Sequence, residues 1–164
     1  MSDRPVIIGF DGTPAAEQAV RAAAATLTSR HAVVVVVWEA GRAYELLEVP
    51  TLSVGVPMSG MDIRAASEVD NAAAESARRI AEQGAALAME LGMRAEGMVV
   101  ADDITVAATL VRIAKEQDAG VIVVGSHGHR GITELLLGST AREVVKQAPC
   151  PVLITRPEHP VRHQ

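Results

Sequence analysis

Short continuous apolar runs recur along the chain, and between them apolar positions return every three or four residues. The runs predict strands over Arg4–Phe10, Ala32–Trp38, Arg94–Val100, Val121–Val124 and Pro151–Thr155. The run AVVVVVW at 32–38 is β-branched almost throughout, as suits a strand covered on both faces of a parallel sheet. The helical spacing predicts four helices. Thr13 is a good N-cap and Pro14 suits the first helical position, followed by an inward stripe of Ala16, Ala19, Val20, Ala23, Ala24 and Leu27. A long helix is expected over Asp62–Leu91 with Val69, Ala73, Ala77, Ile80, Gly84, Leu87 and Leu91 inward, Gly84 marking close helix–sheet packing. Thr105 caps a third helix running to Gln117, with Ala107, Val111 and Ala114 inward, and Gly138 or Ser139 opens a last one ending near Ala148. Residues 39–61 carry Pro50, Gly55, Pro57 and Gly60 without a period and read as a loop or lid, and 157–164 as a loose tail.

Strictly alternating strands and helices predict one α/β domain over residues 1–156, an open parallel sheet of five strands with helices on both faces. Such sheets bind ligands beyond the carboxyl ends of their strands, where the strand order reverses. Two strand ends carry unusual chemistry, GFDGT after the first and GSHGHRG after the fourth. If those strands are neighbours, both loops face one crevice.

Composition narrows the field. With 164 residues the chain has enough length for one sizeable core. Aromatics are 2% of it, namely Phe10, Trp38 and Tyr44, so the core is aliphatic and stacking platforms for single-stranded nucleic acid are absent. A net charge of −5 argues against general nucleic-acid binding. Cys150 stands alone, so there is no internal disulfide, and it reads as a small buried hydrophobe. No apolar run is long enough to span a membrane, and MSDRPVIIGF lacks a signal-peptide pattern, so a cytoplasmic location is expected.

The stretch GSHGHRGITELLLGST, residues 125–140, sets the chemistry. Gly125 and Gly128 let backbone N–H groups approach an anion, and a helix starting at Gly138–Ser139 adds free amides and a partial positive charge. Ser126, Ser139 and Thr140 can add hydroxyl donors. The pattern fits phosphate, and equally a tight turn before a serine-capped helix. No GxxxxGK[ST] and no GxGxxG occur, which excludes a P-loop and a Rossmann dinucleotide site. Without a lysine, neutralisation falls to backbone dipoles, a divalent ion, or Arg130 and Arg142, an arrangement suited to holding nucleotide rather than to fast phosphoryl transfer. Asp11 reads either as a turn-forming Asp-Gly or as a ligand for ribose or metal. His127 and His129 stand two apart with no third metal ligand near, and no serine sits in a nucleophile elbow.

Gly125-x2-Gly128-x9-Gly138-Ser139 resembles the G-2x-G-9x-G-[S/T] pattern of the ATP-binding branch of the universal stress proteins. VIIGFDGTPAAEQAV looks like that family's opening strand, turn and helix, and VIVVGSHGHRGITELLLGSTAREVVKQAPCPVLITR like its closing half. The resemblance implies an adenine nucleotide alpha hydrolase-like fold of strand order 3-2-1-4-5, with residues 40–61 as the variable loop. It implies ATP with Mg²⁺ or Mn²⁺. Asp11 would touch ribose, phosphate and, directly or indirectly, the metal, helped by the backbone of Gly9 and Phe10. Val37 would bond adenine through its backbone, Val124 and Gly125 would line the adenosine, and His127, Gly128, Gly138, Ser139 and Thr140 would hold the phosphates. It further implies a homodimer paired through 151–155, which would cover an apolar edge strand.

Where family members carry glycine and proline before the third helix, this chain has ADDIT, residues 101–105. Asp102 and Asp103 add negative charge near a polyphosphate, which makes AMP or cyclic AMP a competitor of ATP. The expected function is a nucleotide-binding stress or regulatory module with little or slow hydrolysis. The alternatives are a dimeric interaction module of the same fold without nucleotide, and a nucleotide hydrolase.

Overall fold

The computed structural model describes residues 4–28, 31–39, 60–101, 104–126 and 137–156. The predicted lid, apart from residues 39, 60 and 61, and the tail from 157 onward lie outside them. Five parallel strands, β1 (Val6–Gly9), β2 (His31–Trp38), β3 (Arg94–Ala101), β4 (Val121–Gly125) and β5 (Val152–Thr155), form a single sheet of order β3-β2-β1-β4-β5. Four helices join them: α1 (Pro14–Thr26), α2 (Gly60–Glu90), α3 (Val106–Glu116) and α4 (Ser139–Gln147). The expected order 3-2-1-4-5 is the observed one.

The core is two aliphatic layers, one on each side of the sheet. Ile8, Phe10, Val20 and Val34 are buried in the layer under α1 and α2. Ile7, Val33, Val35, Leu110, Ile122 and Val144 are buried in the layer under α3 and α4. Because side chains alternate along a strand, β1 sends Val6 and Ile8 to the first layer, where Phe10 just beyond it also packs, and Ile7 to the second. This double burial is why the central strands are written in unbroken apolar residues.

Local signals set the helix starts as expected. The Thr13 hydroxyl accepts from the Ala16 N–H at 3.2 Å and Pro14 opens α1, while the Thr105 hydroxyl accepts from the Ala108 N–H at 3.1 Å to open α3. Gly84 does mark close packing: a Cβ there would lie 2.7 Å from Val34 Cγ1 and 2.9 Å from Phe10 Cδ1.

The inward stripe predicted for α2 needs correction in its first half. Val69 is 58% exposed and Ala73 is exposed; Ala66 is buried in the first half, and the continuous buried stripe runs through Ala77, Ala81, Gly84, Ala85 and Ala88. Length explains it. Thirty-one helical residues span about 46 Å, whereas the eight of β2 or β3 span about 26 Å. The helix therefore outruns the sheet, and α2 starts at Gly60, two residues before the predicted start.

Candidate functional site

The sheet has a notch at its carboxyl edge. β1 ends at Gly9, level with Val35 of β2, and its last strand bond is Phe10 N–H to Val35 carbonyl at 2.9 Å. β2 continues to Trp38, still paired with β3 through Ala101. β4 continues to Gly125, paired with Thr155. The central strand is thus shorter than both neighbours, which stand about 9.5 Å apart across it. A strand residue's N–H and C=O point to the same side, and the side alternates along the strand. The Val35 carbonyl points to β1, so the Val37 N–H and C=O point the same way, over the end of β1, where no strand lies beside them among the described residues.

The floor of the notch is the turn that leaves β1. Asp11 Oδ1 accepts from the Thr13 N–H at 3.0 Å and from the Thr13 hydroxyl at 2.6 Å. That hydroxyl in turn accepts from the Ala16 amide, so Asp11 is tied through Thr13 into the first turn of α1. Gly12 between them has φ +75°, a left-handed conformation that glycine adopts without cost. The Asp-Gly is therefore a turn former, and that geometry holds a half-buried carboxylate at the strand end.

The far wall is the end of β4 and the start of α4. Ser126 is 3% exposed, donates its N–H to the Thr155 carbonyl at 2.7 Å and accepts from the Gly138 N–H at 2.8 Å. The two ends of the segment 127–137 are thereby fastened together at β5. Gly138 caps α4 without a side-chain bond, and no acidic residue lies in the first turn. The first bond of the helix is Arg142 N–H to Gly138 carbonyl at 3.0 Å, which leaves the amides of Ser139, Thr140 and Ala141 ahead of it. Arg142 also donates a guanidinium N–H to the Leu137 carbonyl at 3.2 Å, which sets a cation beside this helix end.

Alternation brings several expected residues to one face. Gly9 points toward α3, where a Cβ would lie 3.0 Å from Leu110 Cδ1 and 3.3 Å from Val124 Cγ1. Val37 and Val124 pack in that same α3/α4 layer, so Gly9, Val37, Val124 and the α4 start stand on one side of the sheet. Gly125 ends β4 beside them. Phe10 faces the opposite layer, and its backbone N–H is already bonded to Val35. Ser139 is exposed and Thr140 half-buried at the helix start. His127 and Gly128 lie outside the described residues, as do Arg130, Asp102 and Asp103. The unequal strand lengths and the double backbone link at Ser126 were not anticipated. The only hint of the first was that the apolar run before Asp11 is shorter than the run at 32–38.

Away from the notch, burial pushes the Cys150 thiol above its usual range, and the side chain packs beside the α3/α4 layer as a small hydrophobe. Among the described residues no three His, Cys, Asp or Glu side chains gather as a metal cage, and no helix is long and apolar enough to cross a membrane.

The doubly wound parallel sheet of order β3-β2-β1-β4-β5 is an α/β fold of the nucleotide alpha hydrolase-like type. The family model for the universal stress protein family matches residues 4–156, and the chain belongs to that family. The universal stress protein YxiE of Bacillus subtilis is 35% identical over 89 residues, 54% of this chain and 59% of that one. The universal stress protein Mb2028c of Mycobacterium bovis is 32% identical over 152 residues, 93% of this chain and 45% of that one. The chain thus spans about half the length of these curated relatives. Among solved structures, the protein MJ0577 superposes with a TM-score of 0.74 at 20% identity, covering 97% of this chain and 99% of that one. A universal stress protein in complex with cAMP superposes at 0.59 and 21% identity, over 94% and 98% of the two chains. One from Archaeoglobus fulgidus in complex with dAMP does so at 0.54 and 23%, over 92% and 96%.

Proposed function

We propose that the notch takes an adenine nucleotide, ATP with Mg²⁺ or Mn²⁺ in the first instance, and that the protein works as a nucleotide-responsive module of the stress response. The observation that carries this is the notch itself: the outward backbone edge of Val37 on one side, the Asp11 turn below, and the amide-bearing start of α4 on the other. The Val37 N–H and C=O suit the edge of adenine, which offers one acceptor and one donor side by side. Val124 and Gly125 line the nucleoside, and Asp11 meets the ribose. Gly138, Ser139 and Thr140, with His127 and Gly128, hold the phosphates. The complexes with cAMP and dAMP in proteins of the same fold support the choice of ligand class.

The donor set fits a divalent ion held mainly by phosphate. Asp11 is the carboxylate at the floor, and no protein-only cage exists among the described residues. Bound metal would supply charge neutralisation that a lysine supplies elsewhere, since residues 125–140 contain none. Turnover is accordingly slow or nil. We further propose a cytoplasmic homodimer paired through the open side of β5, whose Val152, Leu153 and Ile154 are only half-buried, and no nucleic-acid partner, in keeping with the net charge of −5.

The test is a thermal-shift titration with ATP, AMP and cyclic AMP, each with and without Mg²⁺. At a ligand concentration 100 times Kd the native state gains about 2.7 kcal/mol, a rise in Tm of about 5–10 °C for a chain of this size. No shift with any of the three rejects the proposal. A shift with AMP or cyclic AMP but not with ATP reassigns the ligand, as the charge of Asp102 and Asp103 would favour.

A further inference from the structure

We infer that α2 positions the Asp11 turn from the opposite face of the sheet, through Gly84 against Phe10 and Ile80 against Gly12. Phe10 and Asp11 are adjacent in the turn that leaves β1, and Asp11 Oδ1 is tied to Thr13 just beyond Gly12. Whatever fixes the Phe10 ring therefore limits where the backbone can carry the Asp11 carboxylate. The ring is 6% exposed and lies where only a glycine fits: a Cβ on Gly84 would come within 2.9 Å of Cδ1 and 3.0 Å of Cε1, and within 2.7 Å of Val34 Cγ1. Val34 is itself fully buried in β2, so it cannot give way cheaply. One turn earlier, Ile80 reaches the turn itself. Its Cγ2 is 3.3 Å and its Cγ1 3.7 Å from the position of a Cβ on Gly12, so the isoleucine backs the left-handed residue between Asp11 and Thr13. Two points one helical turn apart thus brace both ends of the Phe10–Gly12 segment. Neither residue touches the α3/α4 side where the nucleotide is proposed to sit, so both are positioning residues.

The consequence for binding rests on the nucleotide reading; the positioning does not, and the two are measured separately. In the unliganded full chain, hydrogen exchange of the Thr13 amide reports the bond to Asp11, normalised to the core amide of Ile8 to remove global unfolding. Ile80→Ala deletes the brace without creating a clash, and Gly84→Ala forces the ring to move. Ile113→Val, on the other face near the end of α3 and 2% exposed, controls for general loss of packing. Normalised Thr13 exchange is expected to rise at least tenfold in both α2 variants, to rise less than threefold in the control, and to return toward normal in Ile80→Val. An unchanged rate in Ile80→Ala overturns the inference, even if Gly84→Ala fails to fold. The same proteins are then titrated with AMP and with ATP–Mg²⁺, and Ile80→Ala is expected to weaken binding about tenfold with the control unchanged. Faster exchange with undiminished affinity upholds the positioning and overturns its consequence for binding, because the brace would then not reach the ligand. If the wild-type chain binds neither nucleotide, the functional proposal fails alone, and the Thr13 exchange still decides whether α2 holds the turn.

Discussion

Asp11 holds two positions at once. Its Oδ1 fastens the turn by accepting twice from Thr13, and its negative charge sits at the floor of the notch. Asp11→Asn separates the two, because the amide oxygen can still accept from Thr13 while the charge is gone. Folding stability, measured by denaturant titration, is expected to stay within about 0.5 kcal/mol of wild type. The Mg²⁺-dependent part of ATP affinity is expected to fall about tenfold, or 1.4 kcal/mol. Equal loss with and without Mg²⁺ would place Asp11 on the ribose alone. The double character of this residue was legible in the sequence only as two competing readings, turn former or ligand. The structure makes the first true without displacing the second, since the turn is what presents the carboxylate.

At the level of elements, what could be read in advance was what local chemistry decides. Thr13 and Thr105 marked helix starts to the residue because a hydroxyl cap is a short-range event. The run at 32–38 announced a strand because nothing else buries Ala32 and four consecutive valines, Val33–Val36, on both faces. The facing of α2 was different. Its apolar period continues back to Val69, but whether a stripe is covered depends on how far the sheet extends beneath it, which is a tertiary fact. This gives a contrast to measure. Val69→Ser is expected to change unfolding free energy by no more than about 0.5 kcal/mol. Leu110→Ala, on the inner face of α3 at a position 1% exposed and against Gly9, is expected to cost about 2–5 kcal/mol. Comparable losses for both would mean that Val69 is covered after all.

For the whole molecule, alternation of strands and helices foretold the layers, but the notch comes from the order β3-β2-β1-β4-β5 combined with a short β1. No residue near Asp11 says that Val37, 26 positions later, will overhang it. That knowledge came through the resemblance to the universal stress proteins, and strand parity now gives it a reason: the Val35 carbonyl faces β1, so Val37 must as well. Gly128, a fixed glycine of the motif, and His127 before it lie outside the described residues, so their share in the site stands on the resemblance. The measurement that bears most directly on the notch is an NMR titration of backbone amides with AMP and with ATP–Mg²⁺. Saturable shifts are expected at Val37, Asp11, Gly125 and Gly138–Thr140 together, with the amides of the outer face of α2 unmoved. Shifts gathered anywhere else, or none at saturating nucleotide, would contradict a binding site at the end of β1.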